Sequence, residues 1–366
     1  MKKLLALFLL GSLLGCGGGG SGPNAPNSPA ALVSLDVSKK YSTSYEYSKY
    51  YSLENINIPY DIRGYYKDGP LAWALGDFFN NGKLTLFTAV QNYGTQIGLT
   101  TVTNDTFYHS DFIFWTVNSD GSLTKVKSIK GCIHPRKGVV SDFNNDGTND
   151  ILVSCHGYDD FPFNGETSKL LVSNGKGDVN IIDATEIGFY HALAAGDINN
   201  DGYPDIAVTN YKNPNKVYFL INQKDNTFVA DYTRLQQPIT TQYWTVELVD
   251  INKDGINDLI IGGHESESPT KILFGSNDGV FGRQEYIVPT MSSRQIVLDF
   301  VFLNDILYVN RTGGYQETAL QAVNIKTNQV KIMRDDVVGP TNWIAWYQVR
   351  NNKVCAFLSN TLCYSF

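Results

Sequence analysis

Three nine-residue stretches carry the residues of this chain best suited to chemistry: DFNNDGTND (Asp142 to Asp150), DINNDGYPD (Asp197 to Asp205) and DINKDGIND (Asp250 to Asp258). Each sets carboxylates at positions 1, 5 and 9, an asparagine at position 3 and a glycine at position 6. Three like charges in so short a loop repel one another unless a cation offsets them. Ca²⁺ suits the donors, since it takes roughly six to eight oxygens at about 2.3–2.6 Å from carboxylates, amides and backbone carbonyls. Glycine at position 6 permits the sharp turn because it tolerates positive φ, and position 7 can offer its carbonyl. The expected ligand sets are Asp142, Asn144, Asp146, Thr148 and Asp150; Asp197, Asn199, Asp201, Tyr203 and Asp205; and Asp250, Asn252, Asp254, Ile256 and Asp258. The expected cofactor is therefore Ca²⁺, about three ions. Mg²⁺ demands stricter geometry and holds its waters. Zn²⁺ would recruit His or Cys, which these loops lack.

The elements around the loops fix their setting. Each acidic loop lies between two apolar runs: GVVS and ILVSC, LAAG and IAVTN, VELV and LIIGG. The runs are short, rich in Val, Ile and Leu, and bounded by Gly, Asn and Asp, which is the pattern of strands. The segments NGKGD, NQKDN and GSNDG then read as hairpin turns between two further strands in each unit. Weaker copies begin at Leu71, Ile296 and Trp343. The first keeps Asp77, Asn81 and Gly82 but has Phe79 and Thr85 in ligand places, so no calcium is expected there. The last two lack the acidic loop. Self-similarity at about 50 residues, four antiparallel strands at a time, predicts an all-β fold, a β-propeller of four-stranded antiparallel blades. The count is six blades, or seven if residues 30–65 hold a degenerate one. A spare stretch, Tyr45 to Ile58, is expected to close the ring as the outer strand of the last blade. EF-hand geometry is excluded by the apolar residues at position 12, Val153, Val208 and Ile261.

The repeated D-x-N-x-D-G-x-x-D followed by an apolar strand resembles the FG-GAP/VCBS repeat family. That resemblance implies a calcium-binding β-propeller of the kind found in integrin α-subunit heads and bacterial surface proteins. Three units match it fully and three in strand pattern only.

The N-terminus, MKKLLALFLLGSLLGC, has a positive start and a short apolar run too brief for a membrane span. It resembles a lipoprotein signal, which implies cleavage before Cys16 and acylation of that thiol. The expected organisation is residues 1–15 signal peptide, 16–30 flexible tether and 31–366 propeller, the tether being too rich in Gly, Ser, Pro and Asn to bury apolar surface. The expected localisation is an exported bacterial lipoprotein at the outer membrane or cell surface, with the periplasmic face as the alternative. Four cysteines follow Cys16 and suggest two disulfides, Cys132 with Cys155 and Cys355 with Cys363 across proposed hairpins, out of three connectivities. A net charge of −7 without any basic cluster argues against nucleic acid as a partner.

Function is expected on the face opposite the acidic loops, where the longer and more varied loops gather. The candidates there are His134, Arg136, His156, Asp159, Asp160, Tyr190, His191, Tyr211, Tyr243, Trp244, His264, Glu265, Glu267, Arg294, Tyr315 and Trp343. Tyr190-His191 and Tyr243-Trp244 hold the same register in adjacent units and are expected to ring the channel mouth. Aromatic, Arg and carboxylate groups around a funnel suit a glycan or protein ligand. The expected protein is a monomeric, lipid-anchored binding or scaffold protein stabilised by calcium. The alternatives are a surface polysaccharide-processing enzyme, with His156, His191, His264 and Glu265 around a transition metal, or an envelope-assembly lipoprotein. HExxH, GxSxG and P-loop motifs are absent from the sequence, which weighs against catalysis.

Overall fold

The computed structural model describes residues 72–89, 110–158, 163–314, 316–339, 346–350, 352–356 and 362–366. Cys16, the tether, the proposed closing strand at Tyr45 to Ile58, Asp159, Asp160, Tyr315 and Trp343 lie outside the described residues.

The described residues form six antiparallel sheets in chain order and no helix. Blade 1 is β1 (Ala72–Gly76), β2 (Thr85–Ala89), β3 (Asp111–Val117) and β4 (Leu123–Lys130). Blade 2 is β5 (Pro135–Ser141), β6 (Asp150–Cys155), β7 (Lys169–Ser173) and β8 (Val179–Asp183). Blade 3 is β9 (Tyr190–Gly196), β10 (Asp205–Asn210), β11 (Val217–Asn222) and β12 (Phe228–Asp231). Blade 4 is β13 (Thr245–Val249), β14 (Asp258–Gly262), β15 (Lys271–Leu273) and β16 (Glu285–Ile287). Blade 5 is β17 (Ile296–Leu303), β18 (Ile306–Thr312), β19 (Glu317–Asn324) and β20 (Val330–Val337). Blade 6 shows three strands, β21 (Tyr347–Arg350), β22 (Lys353–Ala356) and β23 (Cys363–Tyr364). The molecule is thus an all-β six-bladed propeller with four-stranded antiparallel blades, and blade 6 shows three of its strands among the described residues.

The second strands β6, β10 and β14 are mainly apolar and buried along their whole length, because each blade packs against a neighbour on either side. The core is accordingly a series of seams. Val140, Ile151 and Leu171 of blade 2 pack on Leu86, Phe87 and Phe112 of blade 1. Val139 and Leu152 meet Leu193 and Ile206 of blade 3. Ala194 and Phe219 meet Val246 and Leu259 of blade 4. Ile260 and Ile272 meet Phe300 and Leu307 of blade 5. Val301 and Tyr308 meet Tyr347 and Val354 of blade 6. Trp346 of blade 6 packs back on the blade 1 cluster and brings the series round to its start. Both expected disulfides are present, Cys132–Cys155 and Cys355–Cys363. The second joins directly opposed residues of β22 and β23.

Candidate functional site: the acidic loops and the opposite mouth

The three acidic loops share one conformation. Position 4 is left-handed in each, at Asn145 (φ 56°), Asn200 (φ 59°) and Lys253 (φ 65°), and the glycine at position 6 follows at φ 87–89°. The position 1 carboxylate builds the turn by accepting the N–H groups of positions 5 and 6. Asp142 takes those of Asp146 (3.0 Å) and Gly147 (2.9 Å). Asp197 takes those of Asp201 (3.1 Å) and Gly202 (2.9 Å). Asp250 takes those of Asp254 (3.1 Å) and Gly255 (2.9 Å). The position 5 N–H also reaches the asparagine oxygen at position 3, at 3.1 Å in the first loop and 3.0 Å in the other two. Oxygens of positions 1 and 3 therefore lie side by side on one N–H. In blade 1 the shape survives without the full ligand set: Asp77 accepts from Asn81 and Gly82, and Asn80 is left-handed. Local hydrogen bonding is enough to set the turn.

Position 9 also anchors the loop from within the blade. Asp150 is fully buried, and accepts the N–H of Phe143 at 2.9 Å and that of Ser173 at 2.8 Å. Asp205 binds Ile198 and Asn222 the same way, and Asp258 binds Ile251 and Gly275. Each carboxylate ties its own loop to the end of its blade's third strand. Burial pushes Asp150 up to about 8 and Asp205 and Asp258 up to about 6, against the pull of those N–H groups. Burial also raises Asp142.

The charge in these loops is almost wholly unbalanced by protein. Of their nine aspartates only Asp201 meets a cation among the described residues, the half-exposed Lys224 at 3.2 Å. No three His, Cys, Asp or Glu side chains among the described residues form a ready-made metal cluster, because the carboxylates face backbone N–H groups. The donor chemistry nevertheless fits a hard divalent cation. Carboxylate oxygens keep lone pairs beyond one hydrogen bond each, and the excess charge calls for one.

At the other end of the blades, four of the five histidines gather in one arc. His134 lies 6.4 Å from His156, His156 4.5 Å from His191, His191 4.7 Å from Trp244 and Trp244 4.0 Å from His264, all between ring centroids. The arc runs across blades 2, 3 and 4. Its first step is held by the Cys132–Cys155 disulfide and by the His156 N–H donating to the His134 carbonyl at 3.1 Å. Gly157 follows at φ +81°, where a Cβ would sit 2.4 Å from the Asn164 carbonyl, so only glycine closes this corner. The last step is held where His264 bridges to Ile296 of blade 5.

Alternation along β9 and β13 sorts the paired aromatics. Tyr190 is fully buried and its hydroxyl donates to the Glu186 carbonyl at 3.0 Å; Tyr243 is buried and donates to the Pro269 carbonyl at 3.0 Å. Only the second member of each pair, His191 and Trp244, reaches the mouth. Glu265 is bound to Arg311 at 2.6 Å, both side chains fully buried. Arg294 is held by Glu317 at 3.1 Å and Asp335 at 2.8 Å. Glu265 thus ties blade 4 to blade 5, and Arg294 is held by two carboxylates of blade 5. Tyr211 is half exposed beside Phe189 with Lys216 over its ring. Arg136 is half-buried two residues after His134, and Glu267 lies in a turn where its N–H donates to the His264 carbonyl.

Sequence reasoning missed the axis of the ring. Lys137 of β5 reaches past blade 3 to blade 4, where its Nζ donates to Glu247 Oε1 at 2.6 Å and to the Val246 carbonyl at 3.0 Å. Asp299 of blade 5 stands 3.8 Å from the same Nζ. The narrow β9, with Ala192, Ala194 and Ala195, lets the lysine cross. The available signal was a lone carboxylate inside each of two otherwise largely apolar inner strands, TVELV and IVLDFVFL, with an Arg136-Lys137 pair in a third, PRKGVVS.

With the geometry in place, the comparisons agree on the architecture. Residues 142–208 and 197–261 match the family described as FG-GAP-like repeat. The chain therefore carries FG-GAP-like repeats within a β-propeller. No curated protein matches it in sequence. Among solved structures it is similar to a candidate 6-phosphogluconolactonase from Bacteroides uniformis, with a TM-score of 0.50 at 11% identity over 79% of this chain and 77% of that one. A protein from Lactobacillus plantarum is similar at 0.50 and 12%, over 80% and 78%. A periplasmic gluconolactonase from Pseudomonas aeruginosa stands at 0.44 and 16%, over 74% and 71%. At such identities the likeness is one of fold.

Proposed function

We infer that this protein is an exported, lipid-anchored β-propeller that takes up calcium in its acidic loops and binds a glycan or protein ligand at the opposite mouth. The observation that carries the calcium reading is the unbalanced charge: eight of nine loop aspartates have no lysine or arginine partner among the described residues. Asp142, Asn144, Asp146 and the Thr148 carbonyl would hold the first ion with Asp150, and their counterparts the second and third. Calcium there supplies charge neutralisation at the inner turn of blades 2, 3 and 4. It binds the folded form alone and stabilises it by mass action, about 2.7 kcal/mol per site at a hundredfold excess over Kd. The test is a melting curve of the full chain in calcium and in EGTA, with isothermal titration to count ions. A melting temperature unmoved by EGTA, with no heat on titration, would sink the calcium reading.

The binding reading rests on the ring arc at a mouth built from three blades on a rigid scaffold. Cross-linking on intact cells, comparing the wild type with His191→Ala, tests it: loss of a captured partner in the variant supports the reading. The anchor rests on the N-terminal sequence and is tested by labelling with palmitate, which Cys16→Ser should abolish.

A further inference from the structure

On the face of the mouth, three chain segments meet at the seam of blades 2 and 3. The link from β6 to β7 and the link from β8 to β9 pair where Glu166 and Gly188 exchange both N–H···O bonds, at 2.9 and 3.1 Å. Just past β10, the Tyr211 N–H donates to the Phe189 carbonyl at 3.1 Å. On these segments Ile187 is 72% exposed, and Phe163 and Tyr211 are about half exposed. The exposed Tyr232 joins them, its hydroxyl accepting from Asn213 Nδ2 at 3.2 Å. Phe163 holds φ 55°, a left-handed value that is costly for a bulky side chain. Its carbonyl accepts from Lys212 Nζ at 2.6 Å, and the same ammonium sits 4.4 Å from the centre of the Phe189 ring. The Tyr211 carbonyl accepts from Lys216 Nζ at 2.6 Å. Both ammoniums rest on neutral carbonyls and make no ion pair among the described residues. The patch runs on into the ring arc, since Phe189 lies 4.6 Å from His156 and 6.4 Å from Tyr211 between ring centroids.

We propose that Phe163, Ile187, Tyr211 and Tyr232, with Lys212 and Lys216, dock a protein partner through a segment that carries carboxylates beside an apolar side chain. This rests on the reading of the mouth as a binding face and chooses between its two ligand classes. Exposed apolar side chains rimmed by polar groups mark interaction sites, and aromatic side chains are enriched in protein interfaces. The two lysines are cations without a counter-charge on a chain of net charge −7, so the partner supplies the carboxylates. A bilayer fits less well: recognition of anionic lipid takes about four to eight Lys or Arg together, and here Glu186 stands beside Ile187. A sugar fits less well too, because Ile187, the most exposed member, is aliphatic and offers no ring face.

The probe is a phage-displayed library of random peptides, selected on the full chain held on beads and washed free of detergent. Selected peptides are then synthesised and their binding measured by fluorescence anisotropy. The expected sequences combine Asp or Glu with Phe, Leu or Ile, and bind Ile187→Glu at least about tenfold more weakly than wild type. Lys212→Met with Lys216→Met should weaken binding and flatten its decline with added salt. Ile187→Glu changes an exposed side chain and carries the test if the lysine variant fails to fold. The proposal is overturned if no peptide is enriched, if the enriched peptides lack carboxylates, or if Ile187→Glu binds them as tightly as wild type. Phosphatidylglycerol nanodiscs captured by wild type and not by Ile187→Glu, with no peptide enriched, would assign the patch to a bilayer and overturn it too. Peptides lost in His191→Ala but kept in Ile187→Glu would remove the patch and leave the binding face standing.

Discussion

Asp150, Asp205 and Asp258 combine two demands that pull in opposite directions. Each is fully buried and each closes a loop that already carries two other carboxylates. Burial raises all three, to about 8, 6 and 6, from an ordinary value of 3.8. A carboxyl raised by folding favours the fold in its protonated form. That contribution is complete below the ordinary value and is lost as pH rises through about 6 and then 8. In EGTA the melting temperature should therefore fall between about pH 4 and pH 8. Bound calcium favours the ionised form, so the gain from added calcium should grow over the same range; a calcium gain that is flat with pH would contradict this. Asp205→Ala removes the acceptor for two buried N–H groups, each worth roughly 1–3 kcal/mol when orphaned. It should cost several kcal/mol in EGTA by chemical denaturation, well above Asp197→Ala, whose N–H partners lie in the loop at the protein surface.

Between elements, the blades are joined by side chains at the end of the third strand. Ser173 donates to the Phe78 carbonyl of blade 1 at 2.7 Å, and Asn222 donates to the Phe143 carbonyl of blade 2 at 2.8 Å. Both carbonyls belong to position 2 of an inner loop, so each loop is tied to its neighbour as well as to its own blade. Asn222→Ala should cost about 1–3 kcal/mol by denaturant titration, and more than Ser173→Ala, because Asn222 also donates to the Pro204 carbonyl at 3.0 Å. The Arg311–Glu265 pair ties blade 5 to blade 4 with neither side chain exposed. Arg311 also donates to Gln321 Oε1 at 2.8 Å and to the Pro289 carbonyl at 3.2 Å. Arg311→Leu strands a buried carboxylate and should cost about 3–5 kcal/mol in a thermal or chemical melt. Glu265→Gln, which keeps the shape, should cost less.

Across the whole molecule, stability is spread over seams that each join two neighbouring blades, with the axis crossed by Lys137. Saturating calcium should raise the melting temperature by several degrees, since a few kcal/mol moves a body of this size by about 2–4 °C per kcal/mol. A triple variant, Asp142→Asn, Asp197→Asn and Asp250→Asn, should remove most of that gain while keeping the sheet signal in circular dichroism.

The sequence by itself determined the repeat, the strand order within each blade and the shape of the acidic turns, and it narrowed the blade count to six or seven. All of these are local: they follow from a period of two, from turn residues and from contacts between strands adjacent in the chain. It also placed the histidines on one face, because the ends of the inner strands share that face. The tertiary structure alone decided which of them meet, that Glu265 is bound to Arg311, and that Lys137 spans the ring to Glu247. Those outcomes depend on the rotation between blades, which is set by packing across seams and leaves no trace in the order of residues along any one strand.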